Sequence, residues 1–119
     1  MNYPISIHSN DQKQYLSVGI YSVKVLGGWG VKVNDFSVIL KKDESNLVIK
    51  AEETIWRYQS YAFKQRAKRI LILDIYESGN YTIEFVNAES LKVKPSSMFI
   101  HRFLEKEIPN ENLRICINC

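Results

Sequence analysis

Cysteine occurs twice in the chain, at Cys116 and Cys119, and histidine twice, at His8 and His101. That scarcity excludes the recognised zinc patterns, which need a full set of Cys and His ligands at set spacings. The Cys-x-x-Cys pair opens no evident helix and has no further ligands, so it reads as two reduced, inert thiols rather than a redox or metal pair. As a prenylation box it fails at Asn118, where an aliphatic residue is wanted. Long apolar runs are also missing. Ile70-Leu71-Ile72-Leu73 falls far short of the ~20 residues that span a bilayer. The opening Met1-Asn2-Tyr3-Pro4-Ile5-Ser6 has neither the basic nor the apolar region of a secretory leader, so a cytoplasmic location is expected. The Asn80-Tyr81-Thr82 sequon is then incidental.

The chemistry of catalysis is equally thin. His101, Asp74 and Cys116 or a serine could be combined on paper into a triad, but no nucleophile elbow accompanies them. Asp74 lies inside an apolar run and, if buried, would have to find donors or shift its pKa upward. A partner in a turn or on a basic side chain accounts for it better than acid–base work. The expectation is a non-enzymatic protein with no cofactor and no metal site.

What remains is an ordinary globular composition, 45% hydrophobic and 12% aromatic over 119 residues, which suits one domain over 1–119 with its own core. β-branched and aromatic residues dominate. Two stretches repeat one another: Gly19-Ile20-Tyr21-Ser22-Val23-Lys24-Val25 and Gly79-Asn80-Tyr81-Thr82-Ile83-Glu84-Phe85. Each begins with a glycine that can close a turn and then alternates with period two, the signature of a half-buried strand. Tyr21, Val23 and Val25 should line one inner face, and Tyr81, Ile83 and Phe85 the other. The expected fold is all-β: a two-sheet antiparallel β-sandwich of jelly-roll or Greek-key type with 8–9 strands, the two copies being equivalent strands in its halves.

Along the chain, residues 4–8 suit a short edge strand and 10–14 a polar loop. Residues 19–26, 36–41 and 47–51 alternate as strands. The region 52–68 fits a helical turn or short strands, with a strand at 54–58 followed by a loop as the favoured reading. The continuous run at 70–75 marks a strand covered on both sides or crossing between layers. Residues 77–80 form a hairpin turn and 91–94 an edge piece guarded by Lys92 and Lys94. Strands at 98–104 and 113–117 complete the set.

The run Gly79-Asn80-Tyr81-Thr82-Ile83-Glu84-Phe85-Val86-Asn87-Ala88-Glu89-Ser90 resembles the Gly-x-Tyr-x-apolar-x-Phe-Asp-Asn-x-x-Ser pattern of GOLD-type β-sandwich domains, with Val86 at the aspartate position. The repeat also looks like the Gly-x-Tyr hairpins of galactose-binding-like jelly rolls. The first resemblance implies a protein-binding module, and the second implies binding of sugars or proteins. Neither carries a functional residue over.

Two features are candidates for binding. Lys64-Gln65-Arg66-Ala67-Lys68-Arg69, preceded by Arg57, Tyr58, Tyr61 and Phe63, joins cations to aromatic rings. Such a segment suits an anionic protein or lipid surface, or single-stranded nucleic acid, and it equally suits a solvated loop that guards the strand after it. If extended, Lys64, Arg66 and Lys68 would share one face. Gly27-Gly28-Trp29-Gly30 offers a loop-borne tryptophan, an anchor for a sugar ring or a protein, or a cap over the end of the sandwich. With a net charge of only +3, nucleic acid is the less favoured partner. The expected function is protein–protein interaction; a carbohydrate- or lipid-headgroup-binding role is the alternative.

Overall fold

The computed structural model describes residues 4–9, 12–54, 59–94 and 107–117. They form strands β1 (Ile5–Ser6), β2 (Gln12–Leu16), β3 (Gly19–Leu26), β4 (Gly30–Lys32), β5 (Ser37–Lys42) and β6 (Val48–Lys50). After these come β7 (Glu52–Glu53), β8 (Gln59–Ala62), β9 (Gln65–Ile75), β10 (Gly79–Val86), β11 (Lys92–Lys94) and β12 (Arg114–Ile117). Among the described residues the only helical pieces are single 3-10 turns, and none is long and apolar enough to cross a membrane.

One sheet has the order β1-β12-β3-β9 with β7 and β8 both beside β9, the second has the order β2-β10-β5-β6, and β4 pairs with β11 separately. All pairs are antiparallel. The chain passes from one large sheet to the other between β2 and β3 and again between β9 and β10. The architecture is all-β, with two larger antiparallel sheets and one separate two-stranded pair. Val23, Val25, Leu71, Leu73, Ile75, Ile115 and Ile117 of one sheet share a single buried cluster with Leu16, Val38, Leu40, Tyr81 and Ile83 of the other. The two sheets therefore face each other. Each fully buried side chain contributes about 1.5–3 kcal/mol of transfer free energy.

The duplicated segments are β3 and β10, one in each sheet, and both tyrosines do the same thing. Tyr21 Oη donates to the carbonyl of Ser17 at 2.9 Å, and Tyr81 Oη to that of Glu77 at 2.5 Å. Each hydroxyl thus reaches back four residues and pins the turn that leads into its strand, as in a tyrosine corner. The two corners touch: the Val18 amide donates to Ser78 Oγ at 3.1 Å. Both connections cross between sheets, so this end of the sandwich is clamped. Tyr81 is wholly buried while Tyr21 is half-buried against the same core. Burial raises the Tyr81 phenol above its ordinary value, with Lys42 opposing and Glu77 and Tyr76 adding to the rise.

Several expectations need correction. Residues 12–16 are a strand rather than a polar loop, because Gln-Lys-Gln-Tyr-Leu lies at a sheet edge where its outward residues meet water. The chain does not loop from 59 to 69: β8 and β9 form a hairpin, while the expected strand at 54–58 falls largely on residues outside the described set. The strand expected at 98–104, with His101, also lies outside the described residues. β9 is not covered on both sides. Its register against β3 pairs Val23 with Leu71 and Lys24 with Arg69, leaving Ile70 as an extra, bulged residue. Ile70 and Leu71 are therefore both buried, after which the strand alternates through half-buried Ile72 and buried Leu73. Asp74 is exposed, opposite Ile20, and needs no buried partner. Cys116 is disulfide-bonded rather than a free thiol.

Candidate functional site

The β8–β9 hairpin turns through Phe63 and Lys64, whose φ angles are 52° and 61°. Two successive left-handed residues make the mirror-image turn that matches strand twist, a position that favours Asn-Gly and strains a phenylalanine. Pairing sets Tyr61 opposite Arg66, and alternation puts Lys68 on the same side. On the opposite side, Ala67 packs with Leu26, Cys116 and Ala62 in a small apolar cluster.

Trp29 arrives from the end of β3. Gly27 has φ +108°, a conformation closed to most side chains, and its amide donates to the Arg66 carbonyl at 2.7 Å. That turn lays Trp29 across the hairpin. Trp29 Nε1 donates to the Ser60 carbonyl at 3.2 Å, and its ring meets Tyr61 edge-on at 5.4 Å and 72°. The Arg66 guanidinium carbon sits 4.7 Å from the indole centroid, and Lys68 Nζ donates to the Trp29 carbonyl at 2.8 Å. The ring pair and the cation–π contact contribute roughly 0.5–1.5 kcal/mol each. The result is a rigid platform with Tyr61 left 69% exposed and Phe63 43% exposed.

Four of the expected binding residues, Trp29, Tyr61, Arg66 and Lys68, thus converge. Lys64 stands exposed at the hairpin tip. Arg69 projects from the opposite side of β9, aligned with Lys24, so the cations do not form one continuous stripe. Arg57 and Tyr58 lie outside the described residues. Trp29 is no free loop anchor: it is half-buried, and Arg66 lies over its ring. His8 is exposed, with Nε2 2.7 Å from Asn110 Oδ1.

Three further surface features join segments that sequence patterning does not bring together, although the edge piece with Lys92 and Lys94 is itself found as β11. A cleft of about 530 Å³ opens between residues 34–37 and 50–53, with Phe36, Ala51 and Leu71 in its lining. The β4–β11 pair presents Lys32, Lys92 and Lys94. At the clamped end, opposite the platform along the β3–β9 ladder, Val18, Ile20 and Tyr76 are 64%, 74% and 59% exposed. β4 was not expected as a strand, and the cleft and the apolar end join residues distant in the chain, which no linear pattern announces.

No protein-family model, curated protein or solved structure matches this chain.

Proposed function

We propose that this domain is a non-enzymatic protein-binding module whose contact surface is the platform of Trp29, Tyr61, Arg66 and the Phe63 tip. The observation that carries the reading is an indole locked between Tyr61 and Arg66 while Tyr61 itself stays largely in water. Tryptophan, tyrosine and arginine dominate binding hot spots, and a group already held in place loses little entropy on association. A phenylalanine kept in a left-handed turn at an exposed tip is a local strain of the kind found at binding sites. The resemblance to GOLD-type domains points toward protein partners as well. Sugar stacking on Trp29 is less favoured because Arg66 already covers the ring. Nucleic-acid binding is less favoured because Arg69 faces away from Arg66 and Lys68.

The test is selection of a random displayed-peptide library on the immobilised domain. Enriched peptides should bind Tyr61→Ala at least ~30-fold more weakly, the loss typical of a hot-spot residue, with the melting temperature nearly unchanged. Arg66→Ala should weaken them too. If no peptide is enriched and a glycan array instead gives saturable binding that Tyr61→Ala abolishes, the carbohydrate alternative replaces this reading.

A further inference from the structure

We infer that the outer face of β3 and β9, at the clamped end, seats an amphipathic helix of a protein partner whose apolar stripe carries a lysine or arginine for Asp74. Register places the residues. Ile20 stands opposite Asp74, and Ser22 opposite Ile72. Val23, Leu71, Leu73 and Ile75 are buried in the core, so alternation sends Ile20, Ile72 and Asp74 to the other side of the sheet. Val18 and Tyr76 follow at the turns, one residue beyond the ends of the ladder, and Glu52 of β7 stands opposite Ile72. Val18, Ile20 and Tyr76 are three large apolar side chains left mostly in water on neighbouring strands. Such residues are ordinary when scattered singly, whereas a contiguous group marks a contact surface. The tyrosine corners and the Val18–Ser78 hydrogen bond hold that group in place, so covering it costs little ordering entropy.

The charge on this face selects the occupant. Asp74 and Glu52 are exposed, and among the described residues neither takes part in an ion pair. Lys24 and Arg69 share a row four residues along β3 from Ile20, about 13 Å away by strand rise. A purely apolar body laid over Ile20 would strip water from Asp74 and leave its charge unpaired, which is costly. A second copy docked face to face would set Asp74 against Asp74. An anionic membrane would meet two carboxylates. A lysine or arginine within an apolar stripe removes the penalty. Helical backbone fits because the strand ladders already use the β3 and β9 groups: an extended segment on the face would bury N–H and C=O groups without partners, while a helix satisfies its own. This site shares no residue with the Trp29–Tyr61 platform and does not rest on that reading.

Selection of displayed single-helix peptides, randomised on one face, against the immobilised full chain tests it. Peptides that bind Ile20→Thr about tenfold or more weakly should be recovered, with a lysine or arginine inside their apolar stripe. Asp74→Asn should weaken the same peptides about tenfold or more, and so should glutamine in place of the peptide's cation. Combining the two changes should cost little beyond either alone, the mark of a direct pair. Ile20 and Asp74 are both exposed, so both variants should melt close to wild type. Tyr61→Ala should leave these peptides bound, so failure of the platform reading and failure of this one are told apart. Recovery of no Ile20-dependent peptide overturns the site, and Ile20-dependent peptides indifferent to Asp74→Asn overturn the charge pairing. Flotation with phosphatidylcholine–phosphatidylserine vesicles and sedimentation equilibrium supply the remaining arms. Vesicle binding, or a concentration-dependent dimer, that Ile20→Thr abolishes would replace the helix with a membrane or a second copy.

Discussion

Truncating Tyr81 to alanine should destabilise the domain by about 4 kcal/mol, the range for emptying a buried aromatic site. Tyr81 is fully buried between the sheets and its hydroxyl fixes the turn at Glu77. The duplicate, Tyr21, has the same hydrogen bond but is only half-buried, so Tyr21→Ala should cost about 2 kcal/mol. Tyr81→Phe keeps the ring and loses the donor, for about 1 kcal/mol. Urea unfolding of the three variants measures this, and equal losses for the two alanine variants would refute the asymmetry. The phenol adds a pH signature. Its pKa is raised in the folded state, so the neutral form is favoured there. The corresponding stability is complete below the unfolded value near 10 and is lost as pH climbs through the higher folded one. Wild type should therefore lose more stability than Tyr81→Phe above about pH 10, and the two should run parallel near neutrality.

The second large effect is expected at Gly27. An alanine there is forced to φ +108°, and its Cβ would lie 3.0 Å from Ile108 Cδ1. The backbone strain alone costs about 1–3 kcal/mol. Relief by rotating the turn would withdraw the Gly27 amide from the Arg66 carbonyl and lift Trp29 off the hairpin. Gly27→Ala should thus lower the melting temperature and, in a Trp56→Phe background, shift indole emission to the red. Gly79→Ala is the control. Its Cβ would meet Lys42 Cε at 2.6 Å, the far end of a flexible side chain whose ion pair with Glu77 is only partly exposed. That change should cost less than about 1 kcal/mol. If both alanines behave alike, the turn at Gly27 is not what positions Trp29.

How much of this was legible from the chain differs by element. β3 was readable with its bounds and β10 to within one residue at its end, because glycine entry and period-two alternation act within one strand. β2 was not, since an edge strand of Gln-Lys-Gln-Tyr-Leu has almost no apolar pattern to betray it. In β9 the difficulty is parity. Along a regular strand Arg66 and Lys68 would face away from Leu71 and Leu73. The extra residue at Ile70 brings them onto the same side, in line with the core. A bulge is set by pairing between strands and leaves no mark in a single segment. The same limit applies to the binding surface. Its residue types were evident, yet the union of Trp29 with Tyr61 and Arg66, and the separation of Arg69, depend on which strands become neighbours.

The elongated shape, 48 × 24 × 23 Å, has a consequence for traffic at the surface. β9 runs some 33 Å by strand rise, from the hairpin tip to the turn that carries Tyr76. Two bodies docked at opposite poles of the domain would be held out of each other's reach. Rivalry between them could not come from crowding and would have to pass through the protein itself.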